Sequence, residues 1–336
     1  MARKPTMEDV KNLAGVSIST VSRVINGTKK VSPDKVVAVN NAIEKLGYKP
    51  NELARSLVRK KSNTLGIILD DLGIEYMAQY IRGIDEIGKM YEYDILLYST
   101  FGSIEVQKKA VEFLSSKQVE GIIVISEKIN NEILYTIKEY EIPYILLDKF
   151  YSPEEYKTIT FEYDEAIESI TNLFIEYGHK NIIYLTEKSH DYSSDLKQQG
   201  FENAMSKSGL TKQVFSVSVD DTENGYRFMD ENIKFIHSNN ITGIVASSDA
   251  LATGVLQYCY DHGINVPDDL SVSGFGNAKY SELIRPSLTT VRLPYYDVGA
   301  VTVRVLIKIL REEEPFEKSL KLNYEIMLRE TIKKLK

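Results

Sequence analysis

From Thr64 to Phe275 the chain alternates short apolar runs with longer stretches of helical periodicity, and it does so twice. The first set of runs is Leu65–Leu69, Ile95–Tyr98, Gly121–Ile125 and Tyr144–Leu147, separated by helical stretches around 76–91, 104–117 and 130–140. The second set is Ile182–Leu185, Phe215–Val219, Gly243–Ala246 and Leu270–Phe275, with helices around 165–177, 195–208, 224–238 and 249–262. Continuous apolar strands joined by helices belong to a parallel sheet covered on both faces. The pattern therefore predicts an α/β body of two doubly wound parallel-sheet lobes in tandem. A long helix over Pro294–Leu310 and a last strand over Leu320–Leu328 follow. Ligands of such sheets gather outside the carboxyl ends of the strands. That points to Asp70, Ser99, Ser126, Asp148, Thr186, Ser248, Asp249, Gly276 and Asn277.

The first 60 residues read differently, as a small all-α unit. Thr6 is a good N-cap, and Glu8 and Asp9 place negative charge in the first helical turn, where the helix dipole favours it. Val10, Leu13 and Ala14 form an apolar stripe, and Gly15 can stop the helix by taking positive φ. Ser17 caps a second helix in which Val21, Val24 and Ile25 face inward, leaving Ile18, Ser19, Ser22, Arg23 and Asn26 for other faces. Helical hairpins with a small turn are common. A corner of this size with a polar, Arg-bearing second helix is also the form that lays a recognition helix in the DNA major groove. Ser32-Pro33-Asp34 opens a third helix with Val36, Val39, Ile43 and Leu46 on its core face, and Gly47 ends it. The segment ELARSLVRKK after Asn51 is too short for a stable isolated helix. It is either a basic linker or a hinge that folds in context.

Charge divides along the same boundary. Residues 1–61 hold 13 Lys/Arg against 5 Asp/Glu, a net +8, and the remainder 28 against 43, a net −15. A basic amino-terminal piece on an acidic body suits a nucleic-acid-binding headpiece with a separate regulatory body. The single cysteine, Cys259, excludes an intrachain disulfide and sits in an apolar helix run, where it reads as a small core residue. No apolar run approaches a membrane span and no secretory leader is evident, so the expectation is a cytoplasmic protein without a membrane partner. An enzyme is disfavoured. Gly274-Phe275-Gly276 lacks the third glycine of a dinucleotide fingerprint, no Walker-type loop occurs, and His179, His190, His237 and His262 lack metal-ligand spacing. No metal or other cofactor is implied.

The run D-V-x-x-x-A-G-V-S-x-x-T-V-S-R-V-I-N, Asp9 to Asn26, resembles the headpiece of the LacI family of bacterial transcription regulators. The resemblance continues through Val31-Ser32, Leu46-Gly47-Tyr48, Pro50-Asn51 and Ala54-Arg55-Ser56-Leu57. It implies a helix-turn-helix headpiece over 1–49, a hinge helix and linker over 50–62, and a two-lobed core of periplasmic-binding-protein type I architecture over 63–336. The amino-terminal lobe would take about 63–161 and 293–326, and the other lobe about 162–292. The resemblance also implies a sequence-specific regulator, in all expectation a repressor, that binds a near-palindromic double-stranded DNA operator as a homodimer. Ile18 and Ser19 match the positions that select the operator, and Arg23 matches a guanine-reading arginine. Thr6, Ser17, Thr20, Ser22 and Asn26 match phosphate contacts or caps, although Met7-Glu8 depart from the commoner pair after the threonine. In the hinge, Asn51, Ala54 and Leu57 match the minor-groove segment, with Leu57 as the apolar wedge.

Two regulatory schemes follow from the resemblance. A small-molecule effector (sugar, sugar phosphate or purine) in the interlobe cleft would meet Asp148, Phe161, Lys197, Ser248, Asp249 and Asn277. Here Lys197 replaces a family arginine and Gly276 a ligand-binding carboxylate, which argues against a high-affinity sugar inducer. The second scheme rests on Arg82–Ser99 and Leu293–Leu310, which resemble the catabolite control protein branch of the family. Members of that branch answer to the phosphocarrier protein HPr bearing a serine phosphate. The matching contact positions are Asp71, Tyr91, Tyr296, Asp297, Arg304 and Lys308. Asp297, Arg304 and Lys308 share one helical stripe, and an arginine one turn from a lysine suits a phosphate.

Overall fold

A computed structural model of the protein describes residues 5–27, 30–49, 62–73, 75–126, 131–147, 158–188, 192–313 and 319–335. The chain divides into two compact units, Met1–Asn63 and Thr64–Lys336.

The first unit holds helices α1 (Met7–Ala14), α2 (Ile18–Asn26) and α3 (Pro33–Leu46). Each ends on a glycine with φ near +60°. Val10, Val21, Val39 and Ala42 make its buried centre, with Met7, Ala14, Val24, Ile25, Ile43 and Leu46 around them. Leu13, expected on the apolar stripe, is instead 45% exposed. A helix of only eight residues turns a narrow face inward, and Met7, Val10 and Ala14 occupy it.

The second unit contains two parallel sheets, as the alternation of runs predicts. Lobe 1 opens with β1 (Thr64–Leu69), α4 (Glu75–Met90), β2 (Asp94–Ser99), α5 (Ile104–Ser116) and β3 (Gly121–Ile125). It continues through α6 (Asn131–Glu139), β4 (Tyr144–Leu147) and β5 (Thr158–Phe161). Lobe 2 follows with α7 (Tyr163–Glu176), β6 (Ile182–Glu187), α8 (Tyr192–Lys207), β7 (Gln213–Val217) and α9 (Thr222–Ser238). After these come β8 (Gly243–Ala246), α10 (Asp249–Asp261), β9 (Ser271–Phe275), α11 (Lys279–Leu283) and β10 (Thr289–Arg292). The chain then returns through α12 (Tyr295–Leu310), β11 (Ser319–Leu322) and β12 (Glu325–Met327).

Sheet order is β11-β5-β4-β3-β1-β2 in lobe 1 and β12-β10-β9-β8-β6-β7 in lobe 2. Central β1 shows why its sequence is apolar throughout: Leu65 is flanked by Ile95 and by Gly121, and Leu65–Leu69 are all buried. The last strand departs from expectation. Leu320–Leu328 is two short strands: β11 pairs parallel with β5, and β12 pairs antiparallel with β10 in the other sheet. Residues 325–327 therefore close lobe 2 and not lobe 1. The chain crosses between lobes three times, after Phe161, after Arg292 and after Leu322. Strands β5 and β10 and the short α11 carry no apolar run and escaped the sequence reading. Thr289 and Thr290 of β10 are fully buried, with their hydroxyls hydrogen-bonded. No helix among the described residues is long and apolar enough to cross a membrane.

Candidate DNA interface and regulatory surfaces

The start of the first unit is fixed by caps. The Thr6 backbone N–H donates to Asp9 Oδ2 at 2.8 Å, and the Asp9 N–H donates to Thr6 Oγ1 at 3.4 Å, a reciprocal capping box. At the start of α2 the Thr20 N–H donates to Ser17 Oγ at 3.2 Å, and Ser17 Oγ lies 2.8 Å from both Ser19 Oγ and Thr20 Oγ1. Ser22 accepts from Asn26 Nδ2 at 3.2 Å. Val21 is fully buried, so the opposite stripe faces out: Ile18 is 47% exposed, and Ser19 and Arg23 are exposed. An apolar side chain, hydroxyls and a guanidinium on one outward face of a capped helix can meet a thymine methyl, base-edge acceptors and phosphates. Asn51, Ala54 and Leu57 lie outside the described residues.

In the second unit a cavity of about 410 Å³ is lined by residues of both lobes. Lobe 1 contributes Gly73, Tyr76 and Gln79, and lobe 2 contributes Lys197, Asp220, Ser247–Asp249 and Phe275–Gly276. Lys197 Nζ donates to the Ser247 carbonyl at 3.1 Å and sits 4.4 Å from the Phe275 ring centre. Ser248 donates to Asp220. Asp249 is 3% exposed, and both its oxygens are engaged by its own lobe. Thr290 Oγ1 donates to Oδ1 at 2.5 Å, while Ser281 Oγ and the Ala278 N–H donate to Oδ2 at 2.7 and 2.6 Å. Burial pushes its carboxyl above the usual carboxylate range against the pull of these donors. Asp249 thus works as a staple between α10, α11 and β10, both its oxygens accepting from its own lobe.

The other predicted cleft residues disperse. Phe161 is 2% exposed, behind the cavity wall, edge-on to Tyr163 and Tyr295. Asn277 lies beside a separate cavity of about 760 Å³, where its Oδ1 accepts from Arg329 Nη2 at 2.7 Å. Asp148 lies outside the described residues. Among the strand-end groups of lobe 1, Asp70 Oδ1 accepts from Thr100 Oγ1 and Ser126 Oγ at 3.0 and 2.7 Å, and Ser99 Oγ donates to the Asp70 carbonyl at 2.8 Å. These residues brace lobe 1 and do not line the cavity.

Helix α12 turns nine residues inward, among them Val298, Gly299, Val303 and Leu306. Asp297, Arg304 and Lys308 are exposed on the other side. Neither Arg304 nor Lys308 has an acidic partner among the described residues. Tyr296 Oη donates to Glu86 Oε2 at 2.7 Å, and Arg82 Nε donates to Glu86 Oε1 at 2.9 Å. Arg82 first and Tyr296 second hold the Glu86 carboxyl below its ordinary range. Tyr91 lies under the Arg311 guanidinium, 5.4 Å from ring centre to Cζ. Asp71, in the loop after β1, accepts from the Gly73 N–H at 2.8 Å. The α12 residues share one exposed face, with Tyr296 joined to α4, whereas Asp71 stands on a separate loop.

Family models match at both ends of this arrangement. Residues 6–51 match the lacI family of bacterial regulatory proteins, and residues 171–332 match the periplasmic binding protein-like domain. Over 331 residues, 98% of this chain and 99% of the relative, the sequence is 33% identical to catabolite control protein A of Priestia megaterium. The chain belongs to the lacI family. It is a DNA-binding transcriptional regulator, and its relatives include catabolite control proteins. Among solved structures, the transcription regulator CcpA of Lactococcus lactis aligns with TM-score 0.73 and 28% identity, covering 80% of this chain and 99% of that one. The lac repressor dimer bound to operator and the anti-inducer ONPF aligns with TM-score 0.86, covering 98% of this chain and 100% of that one; at 21% identity it attests the fold.

Within this lacI-family core, sequence reasoning missed the aromatic lining of the cleft. Tyr76, Phe275 and Tyr295 line it, and Phe161 and Tyr163 behind the wall join them into a connected set of rings. Aromatic residues at helical spacing look like ordinary core residues until the topology brings them together.

Proposed function

We propose that this regulator is a cytoplasmic homodimeric repressor that binds a near-palindromic operator, its operator affinity raised by serine-phosphorylated HPr docked on α12. The observation that carries this reading is the exposed pair Arg304 and Lys308, one turn apart on a helix whose opposite face is buried. A phosphate draws its recognition from charge-assisted hydrogen bonds, and cations without an acidic neighbour offer them at little rearrangement cost. Tyr296 and Tyr91 flank the helix as apolar contact surface, and Asp297 provides a carboxylate at its start. The identity to catabolite control protein A extends over the whole chain and supports the same reading. On the DNA side, Ile18, Ser19 and Arg23 read bases while Thr6, Ser17, Thr20, Ser22 and Asn26 position the helix.

Fluorescence anisotropy of a palindromic operator duplex at fixed salt tests both halves. Serine-phosphorylated HPr should tighten binding several-fold, and Arg304→Ala should abolish that gain while leaving the basal affinity in place. A gain that survives Arg304→Ala would remove the docking site from α12. Arg23→Ala should cost about 1–3 kcal/mol of operator affinity and leave non-specific binding nearly unchanged.

A further inference from the structure

Where α12 begins, its first residue lies inside the cleft. Tyr295 is 7% exposed and lines the 410 Å³ cavity. Its ring stacks on Tyr76 of α4 with centres 5.2 Å apart and planes 21° apart. Tyr80 and Phe161 meet it edge-on at 5.2 and 5.7 Å. From Phe161 the rings continue across the crossover to Tyr163 at 5.6 Å and on to Phe275 of β9 at 6.1 Å. A continuous aromatic row thus joins a lobe 1 helix to a lobe 2 strand end.

Opposite the Tyr295 hydroxyl stands Gly276, with φ +123°, a conformation that side-chain-bearing residues rarely adopt. A Cβ placed there would have Tyr295 Oη, 3.9 Å away, as its nearest neighbour. Gly276 is the position where the family resemblance expects a ligand-binding carboxylate. On the other side of Phe275, the Lys197 ammonium covers the ring and is tied to the Ser247 carbonyl.

We propose that Tyr295 is a built-in strut of the interlobe cleft, a positioning residue that holds the lobe 2 wall around Gly276 against α4. Its ring forms part of the cavity wall, and its hydroxyl lies beside the bare backbone of Gly276. Because Tyr295 is also the first residue of α12, any movement of that helix moves the cleft wall directly. This inference stands independently of what docks on Arg304 and Lys308.

Hydrogen-exchange mass spectrometry on the full chain tests it, with Tyr295→Ala and with p-cresol as the probe. The variant should exchange about tenfold faster than the parent in peptides covering 274–281 and 76–83, with β6 and β8 unchanged. p-Cresol at millimolar concentration should restore protection by refilling the cavity, as small rings enter apolar cavities made by truncation. If Tyr295→Ala loosens lobe 1 as a whole, Tyr295→Leu takes its place under the same criterion at 274–281. Unchanged exchange at 274–281, or faster exchange that spreads through β6 and β8 and ignores p-cresol, overturns the proposal.

Discussion

Glycine serves the headpiece helix ends and the packed helix pairs of the core in opposite ways. Gly15 and its two counterparts at the ends of α2 and α3 have φ between 59° and 64°, and a Cβ at any of them would meet nothing within 4 Å. They are glycines because of backbone conformation. In the core, Gly83 of α4 and Gly299 of α12 have no positive φ, but a Cβ on either would run into the facing backbone: 2.1 Å from the Tyr296 carbonyl oxygen and 2.3 Å from that of Tyr80. Gly200 against Asp164 and the pair Gly225 and Gly254 repeat the arrangement at α7/α8 and α9/α10, with clashes of 2.1–2.3 Å. They are glycines because of distance. A conformational glycine can be replaced at a bounded local cost. A contact glycine sets how close two helices lie, and its replacement moves everything mounted on them.

The largest effect expected from this difference is at Gly83. Alanine there forces α4 and α12 apart against backbone that cannot rotate away, and the cost should be at least about 3 kcal/mol, at the upper end for overpacking. Urea unfolding of the full chain should show the core transition shifted to lower denaturant with the headpiece transition in place. An unchanged core midpoint would mean the helices separate freely, and the distinction between the two kinds of glycine would fail. Gly15→Ala should behave in the opposite way, costing about 1–2 kcal/mol for a left-handed alanine and confined to the headpiece. Operator and non-specific duplexes should lose affinity together, since the change disturbs the presentation of α2 and touches no base-reading residue. A loss of core stability with Gly15→Ala would contradict the reading.

The same contrast governs what could be read from sequence. The headpiece helices were legible because the caps Thr6 and Ser17, Pro33 in the first turn of α3 and the terminal glycines act within a few residues, although the Ser32 side chain makes no cap hydrogen bond. The inward face of α1 was misjudged at Leu13, and that of α3 at Ala42, which is buried. The core strands were legible wherever both faces are apolar, as in Gly121–Ile125, all buried. Strand β10 was hidden because its buried positions are threonines whose hydroxyls bond to Asp249 and to the Arg329 N–H. The cleft was legible in place and not in content. Strand ends pointed to Ser248 and Asp249, yet nothing local reveals that the Asp249 carboxylate at the cavity wall is held by Thr290, forty-one positions away. Tyr76 and Tyr295 are brought together only by the second crossing of the chain between lobes, and sequence spacing has no access to that.

The smallest effect separates the two units by pH. The chain's four histidines are at 179, 190, 237 and 262, so none belongs to the headpiece. His179 is 1% exposed, with Nδ1 2.9 Å from Thr242 Oγ1 and Nε2 3.0 Å from the Lys333 carbonyl oxygen. It clasps the carboxyl-terminal segment to lobe 2, where the Leu335 N–H also donates to the Tyr177 carbonyl at 2.7 Å. Burial lowers its pKa below 6.5, and the nearby Lys333 charge adds to that. The folded core therefore favours the neutral ring. Its contribution is complete above the unfolded value of 6.5 and is lost as pH falls through the lowered folded value. Between about pH 7.5 and about pH 5.5 the urea midpoint of the core should fall while that of the headpiece stays level, apart from changes common to both. His179→Gln, which keeps a donor and an acceptor but cannot titrate, should flatten the core's dependence. If the slope survives that substitution, the clasp at His179 is not its source.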